Sequence, residues 1–393
     1  MSGPMNLSQT RLQLSTNSRT TAQSNLWRHF DFVLLGATLL LVLIGIMFIR
    51  SATIDAIDTD LIGRVRSQVL YSIIGAFVVL VLSGIDYRLL GVLEPYIYVF
   101  LLVSLGLVAT VGLVGAAGAQ RWLDVGIPIQ PSEIGKMLLI IALGHHLSKR
   151  YENLGKIRTV MVSIIYVGVP ALLIFLQPNL SNVIAFVVIW ATMIWGAGLR
   201  VHHILIFLMV GVTLIYFVWN TPGLLQKYQR DRITTFINPD AEENEANQFN
   251  RDQALISIGS GGLIGKGYAN GTQTQGRFLR VRHTDFIFSV IAEETGFVGA
   301  TGVIFLIGVV IWRITYTASV ARDPLGSLIC YGVAGIIFFQ TFVSIGMNLS
   351  LLPVTGLTLP FVSSGGSSLV TLLFGIGLVE SVAMRNKFTN LVG

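Results

Sequence analysis

Two short runs in the 393-residue chain place ionisable side chains at the mouths of long apolar stretches. In His283-Thr284-Asp285-Phe286 a carboxylate stands where one apolar stretch begins. In Gln130-Pro131-Ser132-Glu133-Ile134-Gly135-Lys136 an acid and an ammonium open another, at i and i+3. An ionisable group in apolar surroundings is costly unless it meets a partner or a polar cavity, so each is a candidate site residue. Asp285 has the chemistry of a general base. Glu133 and Lys136 share a helical face, where they read equally as a salt bridge that offsets the cost of burial. Pro131 followed by an acid also suits the free N–H groups of a helix start, and Thr284 or Asp285 could be an N-cap. Capping leaves Glu293 and Glu294, about two turns further along, unexplained. Asp31, Glu94 and Glu380 lie near the other ends of their spans, where snorkelling to water is expected.

Two irregular segments accompany these groups. The Gly-rich tract Ser257 to Gly276 contains Ser260-Gly-Gly-Leu-Ile-Gly-Lys-Gly267, which lacks the first Gly and the final Ser or Thr of a phosphate loop. Leu352 to Ser368 is too Pro/Gly-broken for a helix and too apolar for a solvated loop. Such backbone is tolerated at membrane depth only where it lines a cavity, and its hydroxyls and free N–H groups suit anions. The pairs His145-His146 and His202-His203 diverge on a helix without a third ligand, so no metal site is expected from them.

These groups need a frame, and composition names it. Charged residues make up 12% of the chain and hydrophobic residues 53%, with a mean hydropathy of +0.73. A soluble enzyme of this size is excluded, because one core could not hide that much apolar surface. A single cysteine, Cys330, excludes an intramolecular disulfide framework. Apolar stretches at about 30–49, 67–85, 92–114, 133–148, 159–178, 182–199, 203–219, 286–314, 327–350 and 367–384 are each long enough to cross a bilayer, the shorter ones with help from neighbours. The fold class is therefore an all-α polytopic membrane protein of about ten helices, with both termini on one side. Most Lys and Arg of the short loops, Lys149, Arg150, Lys156, Arg158, Arg200, Arg313 and Arg322 among them, fall on the side of the termini, which makes that side cytoplasmic. Residues 1–28 read as a disordered cytoplasmic tail, and 29–393 as one membrane domain with a long outer loop at about 220–285. The acidic run Asp240 to Glu245 reads as a solvated spacer in that loop. The net charge of +6 needs no nucleic acid to explain it.

Gly118-Ala-Gln-Arg-Trp-Leu123, Gln130 to Lys136, Ser260 to Gly267, His283-Thr-Asp-Phe-Ile-Phe288 with Glu293-Glu294, and Leu359-Pro-Phe-Val-Ser-Ser-Gly-Gly-Ser-Ser368 together closely resemble the shape, elongation, division and sporulation (SEDS) family of peptidoglycan glycosyltransferases. The match runs in order over about residues 30–385. Chain length, short tails and Pro353-Val-Thr-Gly356 fit its elongation members better than its division members. The resemblance implies polymerisation of lipid II, a disaccharide-peptide on undecaprenyl pyrophosphate, into glycan strands at the outer face of the bacterial cytoplasmic membrane, for cell elongation and shape. It implies Asp285 as the essential acid and Glu133 and Lys136 as cavity residues. Arg121 and Trp122 become parts of a supporting outer loop, and a class B penicillin-binding transpeptidase becomes the partner. The chain departs from the family pattern at Gln177-Pro-Asn179-Leu-Ser-Asn182, where Asp-Leu-Gly-Thr is common, at Ser364 in place of Tyr, and at Arg280 in place of Pro.

The chemistry agrees with this inventory. A pyrophosphate leaves without protonation once its charge is neutralised, so one base plus cations is enough, where a glycosidase needs two carboxylates. Asp285 is expected to take the proton of the acceptor hydroxyl. Lys136, Arg64 and Arg121 are expected to stabilise the pyrophosphate, with a divalent cation such as Mg or Mn as an optional addition. Gln130, Ser132, Trp122, His283, Thr284, Ser363 and Ser367 complete the expected substrate site. A flippase for the same lipid-linked precursor would use the same cavity without making a bond. A proton-coupled transporter would instead gather its polar groups near the bilayer midplane.

Overall fold

The computed structural model describes residues 27–54, 63–114, 120–124, 128–153, 156–199, 245–279 and 281–386, with isolated positions between 209 and 236. Twelve helices follow in chain order among these residues: α1 Phe32–Thr53, α2 Arg64–Gly84, α3 Tyr87–Val92, α4 Glu94–Val111, α5 Pro131–Ser148, α6 Ile157–Leu176, α7 Leu180–Gly196, α8 Glu245–Ser260, α9 Thr272–Gln275, α10 Ile287–Ser319, α11 Pro324–Asn348 and α12 Gly366–Arg385. The protein is an all-α polytopic membrane protein. Six of these helices (α1, α2, α6, α10, α11 and α12) are long and apolar enough to cross a bilayer, while α4 and α7 are shorter apolar helices. The expected seventh span, 203–219, lies outside the described residues except for isolated positions. So do the tail up to residue 26, Gly118, Arg280 and the acids Asp240, Glu242 and Glu243.

One element departs from the all-helical expectation. Leu113–Val114, Gln120–Asp124 and Pro128–Ile129 form a small antiparallel sheet, β1-β2-β3, between α4 and α5. It pairs Leu113 with Trp122 and Leu123 with Ile129, and so carries Arg121 and Trp122 over the end of the bundle.

Helix α2 packs along α12, α10 against α11 and α1, and α11 against α7 and α5. At one end of the bundle the start of α1 meets the last turns of α12: the Asp31 N–H donates to Glu380 at 2.9 Å, and Asp31 pairs with Arg313 at 2.7 Å. These acids do not snorkel as expected. Asp31 is 7% exposed and Glu380 fully buried, because each finds its partner inside the bundle, and Glu94 accepts a hydrogen bond from the Tyr166 hydroxyl at 2.7 Å.

At the other end α10 is two helices meeting at Gly296, whose φ of 67° breaks the helical run. The expected uninterrupted span 286–314 is therefore a short helix, Ile287 to Thr295, followed by the long crossing segment. A break exposes backbone groups that must be satisfied within the protein, and the Gly-rich tract supplies the partners. Lys266 and Gly267 N–H donate to the Glu293 and Glu294 carbonyls at 3.0 and 2.9 Å. The Phe297 and Val298 N–H groups donate to the Gly262 and Leu263 carbonyls at 2.9 and 3.1 Å. The tract has no room for side chains where it meets the break. A Cβ at Gly296 would lie 2.4 Å from the Gly265 nitrogen and 2.5 Å from the Leu263 oxygen. Gly296→Ala is expected to lower stability by at least ~1–3 kcal/mol, the cost of a strained backbone position, read as a lower unfolding midpoint of the detergent-purified protein. An unchanged midpoint would show that the break tolerates a side chain.

Candidate active site

Five helices begin around one cavity of about 750 Å³, a volume typical of ligand pockets. Arg64 is the first residue of α2, and its cavity-lining residues Arg64, Ser67, Gln68 and Tyr71 follow helical spacing. Gln130 and Glu133 come from the start of α5, Asn179, Ser181 and Asn182 from the start of α7, and Gly365 to Ser368 from the start of α12. Thr284 and Asp285 precede α10, Thr355 to Thr358 belong to the broken segment after α11, and Arg121 and Trp122 come from β2. Helix N-termini carry partial positive charge, so these starts, together with Arg64 and Arg121, make the cavity attractive to an anion.

Eight of the twelve expected residues line this cavity: Asp285, Glu133, Arg121, Trp122, Arg64, Gln130, Thr284 and Ser367. Lys136, Ser132, His283 and Ser363 are not among its lining residues. Lys136 is 1% exposed and donates to Glu133 at 2.7 Å, so it reaches the cavity only through that carboxylate. The Ser132 hydroxyl accepts from the Asn182 amide at 3.0 Å. Ser363 bonds the Leu359 N–H and the Thr284 carbonyl, each at 2.8 Å. His283 is held through its own carbonyl, which accepts from the Ser364 N–H at 3.0 Å. Burial, with the Arg64 and Arg282 charges nearby, pushes His283 down to about 4.

That shift has a definite sign. The folded protein keeps His283 neutral while the unfolded chain takes up a proton below its ordinary value of about 6.5, so stability falls as pH drops from about 6.5 towards 4. His283→Gln is expected to flatten the unfolding midpoint over that window and to leave activity near pH 7 unchanged. A rate that followed an imidazole titration near neutrality would contradict it.

Glu293 and Glu294 do not face the cavity. Glu293 is fully buried. Its carboxylate accepts from Lys266 at 2.9 Å, from the Gln273 and Thr274 N–H groups at 2.9 and 3.2 Å, and from the Thr274 hydroxyl at 2.9 Å. Glu294 accepts from the Ser51 hydroxyl and from the Ala269 N–H. Both acids tie the Gly-rich tract to the bundle. Lys266 also bonds Ser260 and Thr272, each at 2.7 Å, so its ammonium is committed to the same lock.

Several lining residues escaped the sequence reading. Ser67, Gln68 and Tyr71 carried a signal, since with Arg64 they fall at i, i+3, i+4 and i+7 of an apolar helix. Asn179 and Asn182 stood out as departures from a family pattern, and both line the cavity as buried amides. Among the described residues the Asn179 Nδ2 and the Asn182 Oδ1 have no hydrogen-bond partner. Among the described residues no group of three His, Cys, Asp or Glu side chains is placed to hold a metal.

Comparison with known proteins gives a consistent result. Residues 32–388 match the family model FTSW_RODA_SPOVE, described as cell cycle protein. The chain is 33% identical over 364 residues to peptidoglycan glycosyltransferase MrdB of Escherichia coli (strain K12), covering 91% of this chain and 96% of that one. A chain solved in work on the structural coordination of polymerization and crosslinking by a peptidoglycan synthase complex superposes with a TM-score of 0.77 at 28% identity, covering 91% of this chain and 99% of that chain. The rod shape determining protein RodA of Thermus thermophilus superposes with a TM-score of 0.66 at 29% identity, covering 90% and 96%.

Proposed function

The chain belongs to the FtsW, RodA and SpoVE family of cell cycle proteins and is a peptidoglycan glycosyltransferase, and on that premise we propose that it polymerises lipid II into glycan strands. The observation that carries the reading is the joint presence of Asp285, Arg64 and Arg121 on one cavity wall ringed by helix starts. Asp285 takes the proton from the acceptor sugar hydroxyl as its oxygen attacks the anomeric carbon of the donor. The new glycosidic bond forms with inversion as the bond to pyrophosphate breaks. Undecaprenyl pyrophosphate departs with that electron pair, its charge met by Arg64, Arg121 and the helix N-termini. Glu133, with its charge balanced by Lys136 behind it, orients the sugar hydroxyls. The growing strand and lipid II occupy the two halves of the cavity.

The setting follows from the same reading. The cavity end of the bundle faces outward from the bacterial cytoplasmic membrane, with residues 1–28 as a cytoplasmic tail, 29–393 as one membrane domain and 220–285 as its outer loop. The partner is a class B penicillin-binding transpeptidase with a single membrane helix, a reading supported by the likeness to a chain of a peptidoglycan synthase complex. The test is formation of glycan strands from purified lipid II, with and without the transpeptidase. Movement of lipid II across a bilayer without any polymer would support the flippase reading instead.

A further inference from the structure

Three successive carbonyls in the segment that carries Asp285 are each held by a different group. The His283 oxygen accepts from the Ser364 N–H at 3.0 Å, the Thr284 oxygen from the Ser363 hydroxyl at 2.8 Å, and the Asp285 oxygen from the Asn348 amide at 2.8 Å. This segment is a turn ahead of α10, where the helical ladder supplies no partner for these oxygens.

Asn348 is the last residue of α11 and fully buried, and both ends of its amide are used. Its Nδ2 donates to the Ser344 carbonyl at 2.7 Å as well as to Asp285. Its Oδ1 accepts from the N–H and the hydroxyl of Ser289, at 3.1 and 2.7 Å, in the first turn of α10. One side chain thus grips the chain just before and just after the start of α10. With the backbone held there, the point from which the Asp285 side chain departs is fixed at the cavity wall. The broken segment closes in on that carboxylate as well, since a Cβ at Gly356 would lie 3.8 Å from the Asp285 Oδ2.

We propose that Asn348 is a positioning residue for the transfer reaction: with Ser363 it fixes the backbone of 283–285 so that the Asp285 carboxylate keeps its place at the cavity wall. Asn348 touches neither substrate nor reacting atoms, and the proposal rests on reading Asp285 as the base. A displacement of about 1 Å is enough to cost a large factor in rate, and the loss of the Asn348 donor frees the carbonyl attached to the Asp285 Cα.

The test uses the purified full chain with lipid II. Asn348→Asp keeps size and the acceptor for Ser289 but puts an oxygen against the Asp285 carbonyl, and Asn348→Leu removes both functions. Each is expected to lower kcat at least ~10-fold, short of the ~10²-fold worth of a base, with KM for lipid II within about twofold of the unmodified protein. The double variant Asn348→Asp/Asp285→Asn is expected to be no slower than Asp285→Asn alone, because two changes acting through one group do not add. Should neither Asn348 variant accumulate, Ser363→Ala decides by the same kcat-against-KM split. Unchanged kcat, a loss confined to KM, or a double variant slower by the full factor of the single would each overturn the positioning role. A wild-type rate in Asp285→Asn overturns the base assignment, and this proposal with it, whereas inactive Asp285→Asn beside fully active Asn348 variants overturns the positioning role alone.

Discussion

Asp285→Asn is expected to insert, fold and bind lipid II normally while losing at least ~10²-fold in polymerisation rate, the usual worth of a general base. The substitution keeps shape and removes only the charge and the basic lone pair. A capping role would predict near silence, since Asn caps as well as Asp. The helix starts one residue later than capping requires: Phe286 occupies the N-cap of α10 and makes no side-chain cap bond, and the first-turn Ser289 N–H donates to Asn348, not to Asp285. Asp285→Glu is expected to restore little, because an added methylene moves the carboxylate by about 1 Å within a pinned turn. The acids next in line, Glu293 and Glu133, are both engaged. Glu293 already accepts hydrogen bonds from Lys266, Gln273 and Thr274, and Glu133, on the same cavity, accepts from Lys136 at 2.7 Å. Glycan strands made at the wild-type rate by the Asn variant, read as product length on a gel, would remove Asp285 as the base.

Lys136→Met is expected to be severely destabilising, by ~3–5 kcal/mol, because it strands the buried Glu133 carboxylate without its counter-charge. The double variant Glu133→Gln/Lys136→Met removes both charges at once and should accumulate in the membrane at near wild-type level. The two side chains nevertheless differ in position: Lys136 is sealed in the bundle at 1% exposure, while Glu133 lines the cavity. If Glu133 works on the substrate, the rescued double variant should still polymerise at least ~10-fold more slowly, the loss of a positioned charged hydrogen bond of about 1.5–3 kcal/mol. Full activity in the double variant would reduce the pair to a device for burying a lysine. Comparing single and double variants for both membrane level and glycan synthesis separates the two roles.

Much of this is legible in the sequence. Asp285 and the Glu133 and Lys136 pair stood out because charge is scarce in the chain, and scarcity makes each buried charge informative. Arg64 and Arg121 were legible for the same reason. The roles of Glu293 and Glu294 were not, because an uninterrupted helix from Asp285 sets them about 80° and 180° around from it and shows no partner for either. Gly296 ends that helix, and a single glycine in an apolar run has no local mark that distinguishes a break from close packing. The role of the Gly-rich tract was hidden for a related reason. Its glycines do not complete a phosphate loop, and their partners are the backbone groups freed at a break some thirty residues away, at Glu293 to Val298.

Sequence alone determined the membrane-spanning class, the order of the helices, the scarce charges that matter and the family, since hydropathy and local motifs are properties of contiguous residues. Only the tertiary structure decided which of those charges share a space. The starts of α2, α5, α7, α10 and α12 come together from positions more than three hundred residues apart, between Arg64 and Gly366. Which residues stand on the cavity wall and which stand behind it depends on a rotation of each helix that hydrophobicity barely constrains in an apolar solvent, where lipid and protein faces look alike. Lys136, Ser132, His283 and Ser363 were therefore expected in the substrate site and are not among the lining residues, while Gln68, Asn179 and Asn182 take places there because the packing of α2 and α7 turns them inward.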